Sequence, residues 1–268
     1  MKFSLLTFNT QGTPLYSPYI RERYKKFSGM INKTNPDIIC FQEISTYYNL
    51  FLLKKYLKYP YFYFKPFLHA PKGGLVIASK IPLVDIAFVD YKTNLPVRGV
   101  SFWSHVIRNG MLTARIKDTS TTIVNTHTFS DFEFEWSTTN KLYRFVKTQI
   151  EQLATQINKL SDNEQSIIMV GDLNSKKNST LYKYLLHTTK MIDIFGDTSS
   201  PTYYKDRLDY KFRGKTSERI DHVLLKSNKN KIKTTSRSHL FNDQERLANK
   251  KNSYLSDHIG LLVSFDIV

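Results

Sequence analysis

The sequence of 268 residues is 41% hydrophobic and contains 18 Phe and 17 Tyr, which excludes a disordered chain and provides enough apolar surface for a substantial core. Lys and Arg total 39 against 23 Asp and Glu, and the formal net charge of +16 favours a negatively charged substrate or partner. A single cysteine, Cys40, excludes an intramolecular disulfide framework and a cysteine zinc cluster.

Seven short apolar segments, rich in β-branched or aromatic residues, predict β-strands along the chain. In chain order they cover residues 2–9, 37–42, 74–78, 120–126, 166–171, 220–225 and 259–267. Two helical patterns lie between them, at residues 18–32 and 137–160. The first should end before Asn35-Pro36, because proline disfavours a helical conformation in the residue before it. The polar stretches 196–218 and 226–255 are predicted to be long loops.

This order of elements predicts an α/β fold. Strands alternate with helices in part of the chain, whereas adjacent strands without helices are expected across residues 74–126. Such a mixture is typical of two sheets that pack face to face with helices outside. We therefore expect a four-layer αββα sandwich of two mixed β-sheets flanked by helices, with residues 1–268 forming a single domain and Cys40 buried in its core.

The N-terminal residues read directly into a predicted strand. Their apolar stretch is too short for a secretory signal peptide. We therefore expect a soluble protein, cytoplasmic by default, and a monomer.

Acidic, amide and histidine side chains recur at the ends of the predicted strands. Parallel or mixed sheets bring the ends of distant strands to one edge, so we expect these side chains to converge on one site. They are Asn9, Glu43, Asn125 with His127, Asp172 with Asn174, Asp221 with His222, and Asp257 with His258.

The oxygen-bearing residues of this set predict a site for a hard cation. Glu43 and Asp172 would supply carboxylate oxygens, and Asn9 or Asn174 would add an amide oxygen, which are the ligands that Mg²⁺ prefers. Zinc is less favoured by such a set.

Two histidines of the set predict proton transfer. We expect His127 and His258 each to be held by a carboxylate, with Asp221 and Asp257 as the candidates, which would provide a base and an acid or electrophile. Side chains alternate faces along a strand, so His222 should point away from Asp221 and be structural.

Five motifs resemble, in the correct order, the endonuclease/exonuclease/phosphatase superfamily. Each motif alone is weak, but five in order at predicted strands are a strong signal. The resemblance covers nearly the whole chain and implies the deoxyribonuclease-like αββα sandwich and hydrolysis of phosphodiester bonds. The motifs are Phe41-Gln42-Glu43, Asn125-Thr126-His127, Gly171-Asp172-Leu173-Asn174, Arg219-Ile220-Asp221-His222 and Ser256-Asp257-His258.

The family pattern implies a role for each matching residue. His258 would be the general base on water and would be oriented by Asp257. His127, paired with Asp221, would stabilise the transition state or assist the leaving group. Asp172 and Asn174 would lie near the scissile phosphate. Mg²⁺, with Mn²⁺ as an alternative, would be bound chiefly by Glu43, and the expected metal ligands are Asn9, Glu43, Asp172, Asn174 and Asp257.

Within the superfamily, several segments resemble the neutral sphingomyelinase-like branch. These are Asn9 followed by Gly12-Thr13-Pro14, the basic stretch 21–26, and residues 109–115. The resemblance implies a phospholipid phosphodiesterase that makes peripheral contact with a membrane. Residues 129–136 depart from the pattern of this branch, and they are predicted either to dip into a bilayer interface or to form a half-buried strand.

Other functions stay open at this point. The net charge favours a DNA or RNA endonuclease, because Lys and Arg contacts to phosphates dominate affinity for polyanions. An inositol or nucleotide phosphatase is a third possibility, and a catalytically inactive basic scaffold is a fourth. The aromatic stretch 56–67 could stack on bases or lipid, but we expect about half of it to belong to the core.

Overall fold

A computed structural model of the protein describes residues 1–14, 17–92, 108–130, 138–139, 142–163, 165–208, 214–228 and 231–267. Within these residues, two six-stranded mixed sheets pack face to face, and helices cover both outer faces. The predicted four-layer αββα sandwich is confirmed.

The first sheet is built from both ends of the chain. Its strands are β1 (Lys2–Asn9), β2 (Ile38–Gln42), β3 (Tyr61–Tyr63), β4 (Val76–Ser79), β11 (Ile232–Leu240) and β14 (Gly260–Ile267). Their order across the sheet is β11-β14-β1-β2-β4-β3. β1 and β2 are parallel, and the other neighbours are antiparallel.

The second sheet comes from the middle of the chain. Its strands are β5 (Leu83–Asp90), β6 (Gly110–Ile116), β7 (Thr121–His127), β8 (Ser166–Asp172), β9 (Ile192–Asp193) and β10 (Asp221–Lys226). Their order is β5-β6-β7-β8-β10-β9, and only β7 and β8 pair in parallel. A short ladder of β12 (Glu245–Arg246) and β13 (Asn252–Ser253) stands apart from both sheets.

Among the residues that the structure describes, four helices lie on the outer faces: α1 (Ile20–Thr34), α2 (Tyr47–Tyr56), α3 (Tyr143–Asp162) and α4 (Thr180–Thr189). α1 runs two residues beyond its predicted end and stops where Asn35 adopts a left-handed conformation. The side chains of Thr46 and Ser179 cap α2 and α4, two helices that the sequence pattern did not predict. In the described part of the chain, no helix is long and apolar enough to cross a membrane.

Both faces of the central strands are buried, which explains their continuous apolar sequences. In β2, Ile38 and Cys40 belong to the core between the sheets, whereas Ile39 and Phe41 pack against α1 and α2. The prediction of a buried Cys40 is confirmed, and burial raises the pKa of its thiol. The equivalent outer layer on the second sheet joins α3 and α4 to strands such as β8.

The edge strands depart most from the sequence prediction. Residues 226–255 were expected to form a loop, but they contain β11, whose middle residues are exposed. A polar edge strand lacks the apolar pattern by which a strand is recognised. The predicted strand 74–78 begins only at Val76, after a 3-10 turn at Lys72–Gly74. Residues 131–137, which include most of the aromatic segment 129–136 and the predicted start of α3, lie outside the described residues.

Candidate active site

The polar strand ends converge where the two sheets meet. Asn9 ends β1 and Glu43 follows β2 in the first sheet, whereas Asp172 ends β8 in the second. Nδ2 of Asn9 donates hydrogen bonds to Oε1 of Glu43 at 3.0 Å and to Oδ2 of Asp172 at 3.0 Å. The Asn9 amide therefore ties the two sheets together at the site.

Two further residues reach this edge from antiparallel strands. Asp221 opens β10 directly opposite Asp172 in β8, so the two carboxylates lie side by side. His258 lies just before β14 and forms an isolated bridge with Tyr203, whose ring centroid is 5.3 Å from the imidazole. β10 runs antiparallel to β8, and β14 runs antiparallel to β1. Each therefore begins at the edge of its sheet where its neighbour ends, which brings residues far apart in sequence together.

His258 is paired with Asp221. Nδ1 of His258 lies 2.8 Å from Oδ2 of Asp221, whereas Nε2 lies 3.9 Å from Oδ1 of Asp257. The expectation that Asp257 holds His258 and that Asp221 holds His127 is wrong. The pairing depends on the register of β10 against β8, which adjacency in sequence does not reveal.

Burial and charge act in opposite directions on this pair. Burial alone would lower the pKa of His258, but the charges of Asp221, Asp257 and Asp172 and the hydrogen bond raise it well above its ordinary value. Burial would raise the pKa of Asp221, but His258 and a hydrogen bond from Thr202 lower it. The pair therefore favours imidazolium beside carboxylate.

Asp172 lies at the centre of the site. Its Oδ2 lies 3.7 Å from Nε2 of His127 and 3.7 Å from Nε2 of His258. Its Oδ1 accepts a hydrogen bond from the backbone N–H of Asn174 at 2.8 Å. Burial, and then the charge of Asp221, raise the pKa of Asp172 to about 6, although the two histidines oppose the shift.

His127 differs from His258 in its electrostatic surroundings. Burial lowers the pKa of His127, and the nearby charge of Asp172 only partly offsets that effect. Its Nδ1 is buried and makes no hydrogen bond within the described residues. The surroundings therefore shift the two imidazoles in opposite directions: they favour the neutral form of His127 and the charged form of His258.

Glu43 is held in a strained position beside the other acidic groups. Its backbone has a φ of 58°, which is unusual for a residue other than glycine, and its carboxylate accepts a 3.1 Å hydrogen bond from Oγ1 of Thr13. Burial raises the pKa of Glu43, and the charge of Asp257 raises it further. A buried Glu43 carboxylate whose charge is disfavoured beside a second carboxylate fits a divalent cation, which would offset the repulsion.

The side-chain amides of Asn9 and Asn174, both predicted metal ligands, make hydrogen bonds within the protein. Oδ1 of Asn9 accepts the backbone N–H of Gln11 at 3.0 Å, while its nitrogen faces the carboxylates. Nδ2 of Asn174 donates to the carbonyl of Thr128 at 2.8 Å. Both amides thus shape the site, and Asn9 holds the carboxylates in place.

Asp172, Asp221 and His258 present potential ligand atoms within 4.8 Å of one another. Because Nδ1 of His258 is already bonded to Asp221 and the imidazole tends to be charged, these three groups are better suited to proton transfer than to holding a cation. Of the predicted metal ligands, Glu43 lies close enough to Asp257 for the charge of Asp257 to act on its carboxylate.

Close packing beneath the site leaves no room for side chains at two glycines. A Cβ on Gly12 would lie 2.2 Å from the carbonyl oxygen of Glu43, and one on Gly171 would lie 1.9 Å from that of Thr126. Gly171 also has a φ of 132°. Nε2 of Gln42 at the end of β2 donates a hydrogen bond to Oδ1 of Asn125 in β7 at 2.7 Å, and this bond links the first sheet to the second.

The supporting roles of three further residues were not predicted from the sequence. Thr13 bonds Glu43, and Oγ1 of Thr202 accepts the backbone N–H of Asp221 at 2.9 Å. Arg23 belongs to the basic stretch 21–26, but it is fully buried. Only Thr13 carried a signal, because it lies in the Gly12-Thr13-Pro14 motif. His222 is buried away from Asp221, as predicted, with Nε2 3.0 Å from the carbonyl of Ser175.

Comparison with known proteins identifies the family of the chain. The sequence profile of the Endonuclease/Exonuclease/phosphatase family matches residues 6–258. A putative neutral sphingomyelinase of Drosophila melanogaster is 22% identical over 278 residues, and the match covers 100% of this chain. The chain spans 61% of the length of that relative.

Solved structures show the same fold at low sequence identity. D. rerio TDP2, complexed with single strand DNA product, has a TM-score of 0.72 and 16% identity over 99% of each chain. Sphingomyelinase C from Streptomyces griseocarneus has a TM-score of 0.68 and 17% identity over 98% of this chain and 99% of that one. These likenesses concern the fold alone.

Proposed function

Because the chain belongs to the Endonuclease/Exonuclease/phosphatase family, we propose that it hydrolyses phosphodiester bonds with the help of a divalent cation. One observation carries this proposal. Oδ2 of Asp172 lies 3.0 Å from the amide of Asn9 and 3.7 Å from both His127 and His258. Since these residues come from both sheets, we further propose that the chain acts as a single catalytic domain.

Glu43 and Asp257 are the residues that would hold the cation, which we propose to be Mg²⁺, with Mn²⁺ as an alternative. When bound, a divalent cation polarises the phosphate and neutralises charge that develops in the transition state. Glu43 is positioned for this role by hydrogen bonds from Asn9 and Thr13. These bonds leave the carboxylate little freedom to turn away.

We assign the activation of water to His258, supported by its hydrogen bond to Asp221. A base must be deprotonated to act, and the raised pKa of His258 opposes that state. Part of the rise comes from the charge of Asp257, so neutralising that charge would move the pKa of His258 towards the range where it can accept a proton. Asp221 fixes the orientation of the ring.

His127 and Asp172 complete the proposed reaction. A neutral His127 can donate a hydrogen bond from its ring N–H to a phosphate or leaving-group oxygen without adding a charge. Asp172, with a pKa raised to about 6, can exchange a proton near neutral pH. Its Oδ2 lies 3.7 Å from Nε2 of each imidazole.

For the substrate, we propose a phospholipid that is cleaved as sphingomyelinases cleave theirs. The 22% identity to a putative neutral sphingomyelinase across the whole chain supports this choice. The second candidate is a nucleic acid, which is favoured by the net charge of +16 and by the fold shared with TDP2. A nucleic acid would be bound through several contacts between Lys or Arg and phosphates, whereas a phospholipid presents a single headgroup.

The test is the release of phosphocholine from detergent-dispersed sphingomyelin, compared with nicking of plasmid DNA by the same preparation with Mg²⁺. We expect lipid cleavage to exceed nicking and to change little with salt. A nuclease that makes about six to ten phosphate contacts should instead lose roughly 10³- to 10⁵-fold in affinity between about 50 and 200 mM salt. Rapid nicking without a lipid product, abolished in His258→Ala, would overturn the lipid assignment.

A further inference from the structure

Large apolar side chains are exposed beside the candidate site, on α2 and on the loop that follows β3. The exposed fractions are 52% for Tyr48, 55% for Phe51 and 86% for Leu68. Tyr47 is 40% exposed on the same helix. Aliphatic and aromatic side chains that cluster on a surface mark a place where a partner binds.

Exposed lysines border these apolar groups. Lys54 and Lys55 lie in the last turn of α2, and Lys58 follows just after the helix; all three are exposed. Nζ of Lys55 lies 5.7 Å from the centroid of the Phe51 ring. We call the set the docking face; it comprises Tyr47, Tyr48, Phe51, Lys54, Lys55, Lys58 and Leu68.

The sequence around the docking face carries charge of one sign. Residues 46–72 contain five lysines, at positions 54, 55, 58, 65 and 72, and no Asp or Glu. Lys72 is paired with Asp90 at 2.7 Å, whereas Lys54, Lys55 and Lys58 of the face form no ion pair within the described residues. The face is therefore complementary to an anionic surface.

The loop that carries Leu68 is held in place. Pro66 and Pro71 form a bridge across its base, and Lys72 donates its N–H to the carbonyl of Lys65 at 2.7 Å. The hydroxyl of Tyr47 donates to the carbonyl of Phe67 at 2.6 Å and fastens the loop to α2. Leu68 is thus exposed on an anchored loop.

The Tyr47 end of the docking face is the end that lies nearest in sequence to the proposed cation ligand, Glu43. Tyr47 is four residues after Glu43, so the backbone between them spans at most about 14 Å. On the other side, the loop returns through Gly74, whose carbonyl accepts the N–H of Ile44 at 2.9 Å. A surface bound here would bring its outer layer near Glu43.

We propose that this face docks the protein onto a lipid bilayer that contains anionic lipids. Aromatic side chains favour the interface between headgroups and acyl chains, and lysines bind anionic headgroups. Leu68 favours lipid over nucleic acid, because an aliphatic side chain has no ring to stack on a base. This inference rests on the proposed lipid substrate, to which it adds the route by which the substrate reaches the site.

The experiment measures sedimentation of the protein with phosphatidylcholine vesicles, with and without phosphatidylserine. Each lysine beside an anionic surface contributes about fivefold to binding, so the wild type should bind the anionic vesicles far better. Phe51→Ser with Leu68→Ser should weaken binding to anionic vesicles by at least about tenfold. Lys54→Glu with Lys55→Glu should weaken the same binding while the weak binding to neutral vesicles stays unchanged.

The matched control is Tyr184→Ser with Ile192→Ser, which removes exposed apolar groups from the other sheet and its helix; these are 36% and 69% exposed. This variant should bind vesicles as the wild type does. Turnover of a soluble phosphodiester, measured in parallel, checks that each variant is folded. Loss of vesicle binding in the face variants, together with no turnover of any phosphodiester by the wild type, would support docking and contradict the proposed function.

Several results would overturn the docking face. One is a wild type that does not bind anionic vesicles, and another is a Phe51→Ser, Leu68→Ser variant that binds them as well as the control. Loss of single-stranded oligonucleotide binding in that variant, without an effect on vesicles, would assign the face to nucleic acid. A change from dimer to monomer, with vesicle binding intact, would assign it to a second copy of the chain.

Discussion

The hydrogen bond between His258 and Asp221 controls the protonation of the proposed base. Asp221 lies 2.8 Å from Nδ1, and among the nearby charges it does most to raise the pKa of His258, ahead of Asp257 and Asp172. Since a base acts only when deprotonated, activity should rise as the pH rises through this raised pKa. The pH at which activity rises on the acidic side of the pH–rate profile therefore depends on the hydrogen bond between His258 and Asp221.

Asp221→Asn should move this limb to lower pH, because an amide removes the negative charge that favours the imidazolium. The rate at the optimum should also fall, by roughly 10²- to 10⁴-fold at most, since the ring loses its orientation. The measurement is kcat/KM against pH with a soluble phosphodiester and saturating Mg²⁺. His187→Ala, at an exposed position on α4, is the control and should leave the profile unchanged.

Asp257→Asn tests whether Asp257 affects the pKa of His258 less than Asp221 does. Asp257 lies 3.9 Å from Nε2 of His258 and acts there only through its charge, so this variant should shift the limb less than Asp221→Asn does. It should instead raise the Mg²⁺ concentration needed for half-maximal activity, because a carboxylate ligand is lost. A larger shift in Asp257→Asn than in Asp221→Asn would contradict the pairing described above.

Arg23 positions two loops of the site without reaching the substrate. Its guanidinium donates to the backbone carbonyls of Thr10 and Gln11, next to Asn9, and to that of Leu255, two residues before Asp257. Burial lowers its pKa. These bonds tie the segments that carry Asn9 and Asp257 to α1.

Arg23→Lys should destabilise the protein by about 3 kcal/mol, because lysine has fewer donors and leaves buried carbonyls unpaired. If the loops shift, kcat should fall by roughly tenfold or more while KM changes little. Urea unfolding and steady-state kinetics measure the two effects. A stability loss with an unchanged kcat would limit Arg23 to a purely structural role.

At the scale of elements, β9, β10 and α4 are joined by a buried polar cluster. Nη2 of Arg219 lies 2.6 Å from both carboxylate oxygens of Asp193, and the hydroxyl of Tyr182 donates to Asp193 at 2.6 Å. Nδ1 of His222 lies 3.5 Å from the same carboxylate. Burial opposes the charge of Asp193, but hydrogen bonds and charges of His222 and Arg219 lower its pKa.

Asp193→Asn should destabilise the protein by about 3–5 kcal/mol at neutral pH, because Arg219 would keep a buried charge without its partner. A depressed pKa stabilises the fold above the unfolded value of about 3.9, and this contribution is lost as the pH falls through the folded value. The difference in unfolding free energy should therefore persist at about pH 5 and shrink below about pH 4. A difference that grows in acid would contradict this account.

The sequence predicted the central strands better than the edges. Strands such as β2 and β8 are buried on both faces, so their apolar sequences identify them directly. β11 alternates polar residues at an exposed edge, and the short β9 has only two residues, so neither has a distinctive pattern. α2 lacks the segregation of apolar and polar residues that identifies an amphipathic helix.

The same reasoning explains what could be predicted of the site. Asn9, Glu43, His127 and Asp172 lie at the ends of recognisable strands, so their convergence follows from the topology of such sheets. The partner of His258 could not be predicted, because it depends on how β10 pairs with β8. The role of Arg23 depends on loops that have no periodic pattern.

At the scale of the whole molecule, each sheet supplies one half of the proposed chemistry. The first sheet and the loop before β14 carry Glu43, Asp257 and His258, whereas the second sheet carries His127, Asp172 and Asp221. Neither half is complete without the other. The monomeric state expected from the sequence stays a prediction.

The central claim is that Glu43 binds a divalent cation on which hydrolysis depends. The most direct measurement is titration of Mg²⁺ against turnover of a soluble phosphodiester by the wild type and by Glu43→Gln, with Mg²⁺ binding followed by calorimetry. We expect a chelator to abolish wild-type turnover, and Glu43→Gln to lose both most turnover and most Mg²⁺ binding while its circular dichroism spectrum is unchanged. Full turnover by Glu43→Gln in the presence of the chelator would contradict the claim.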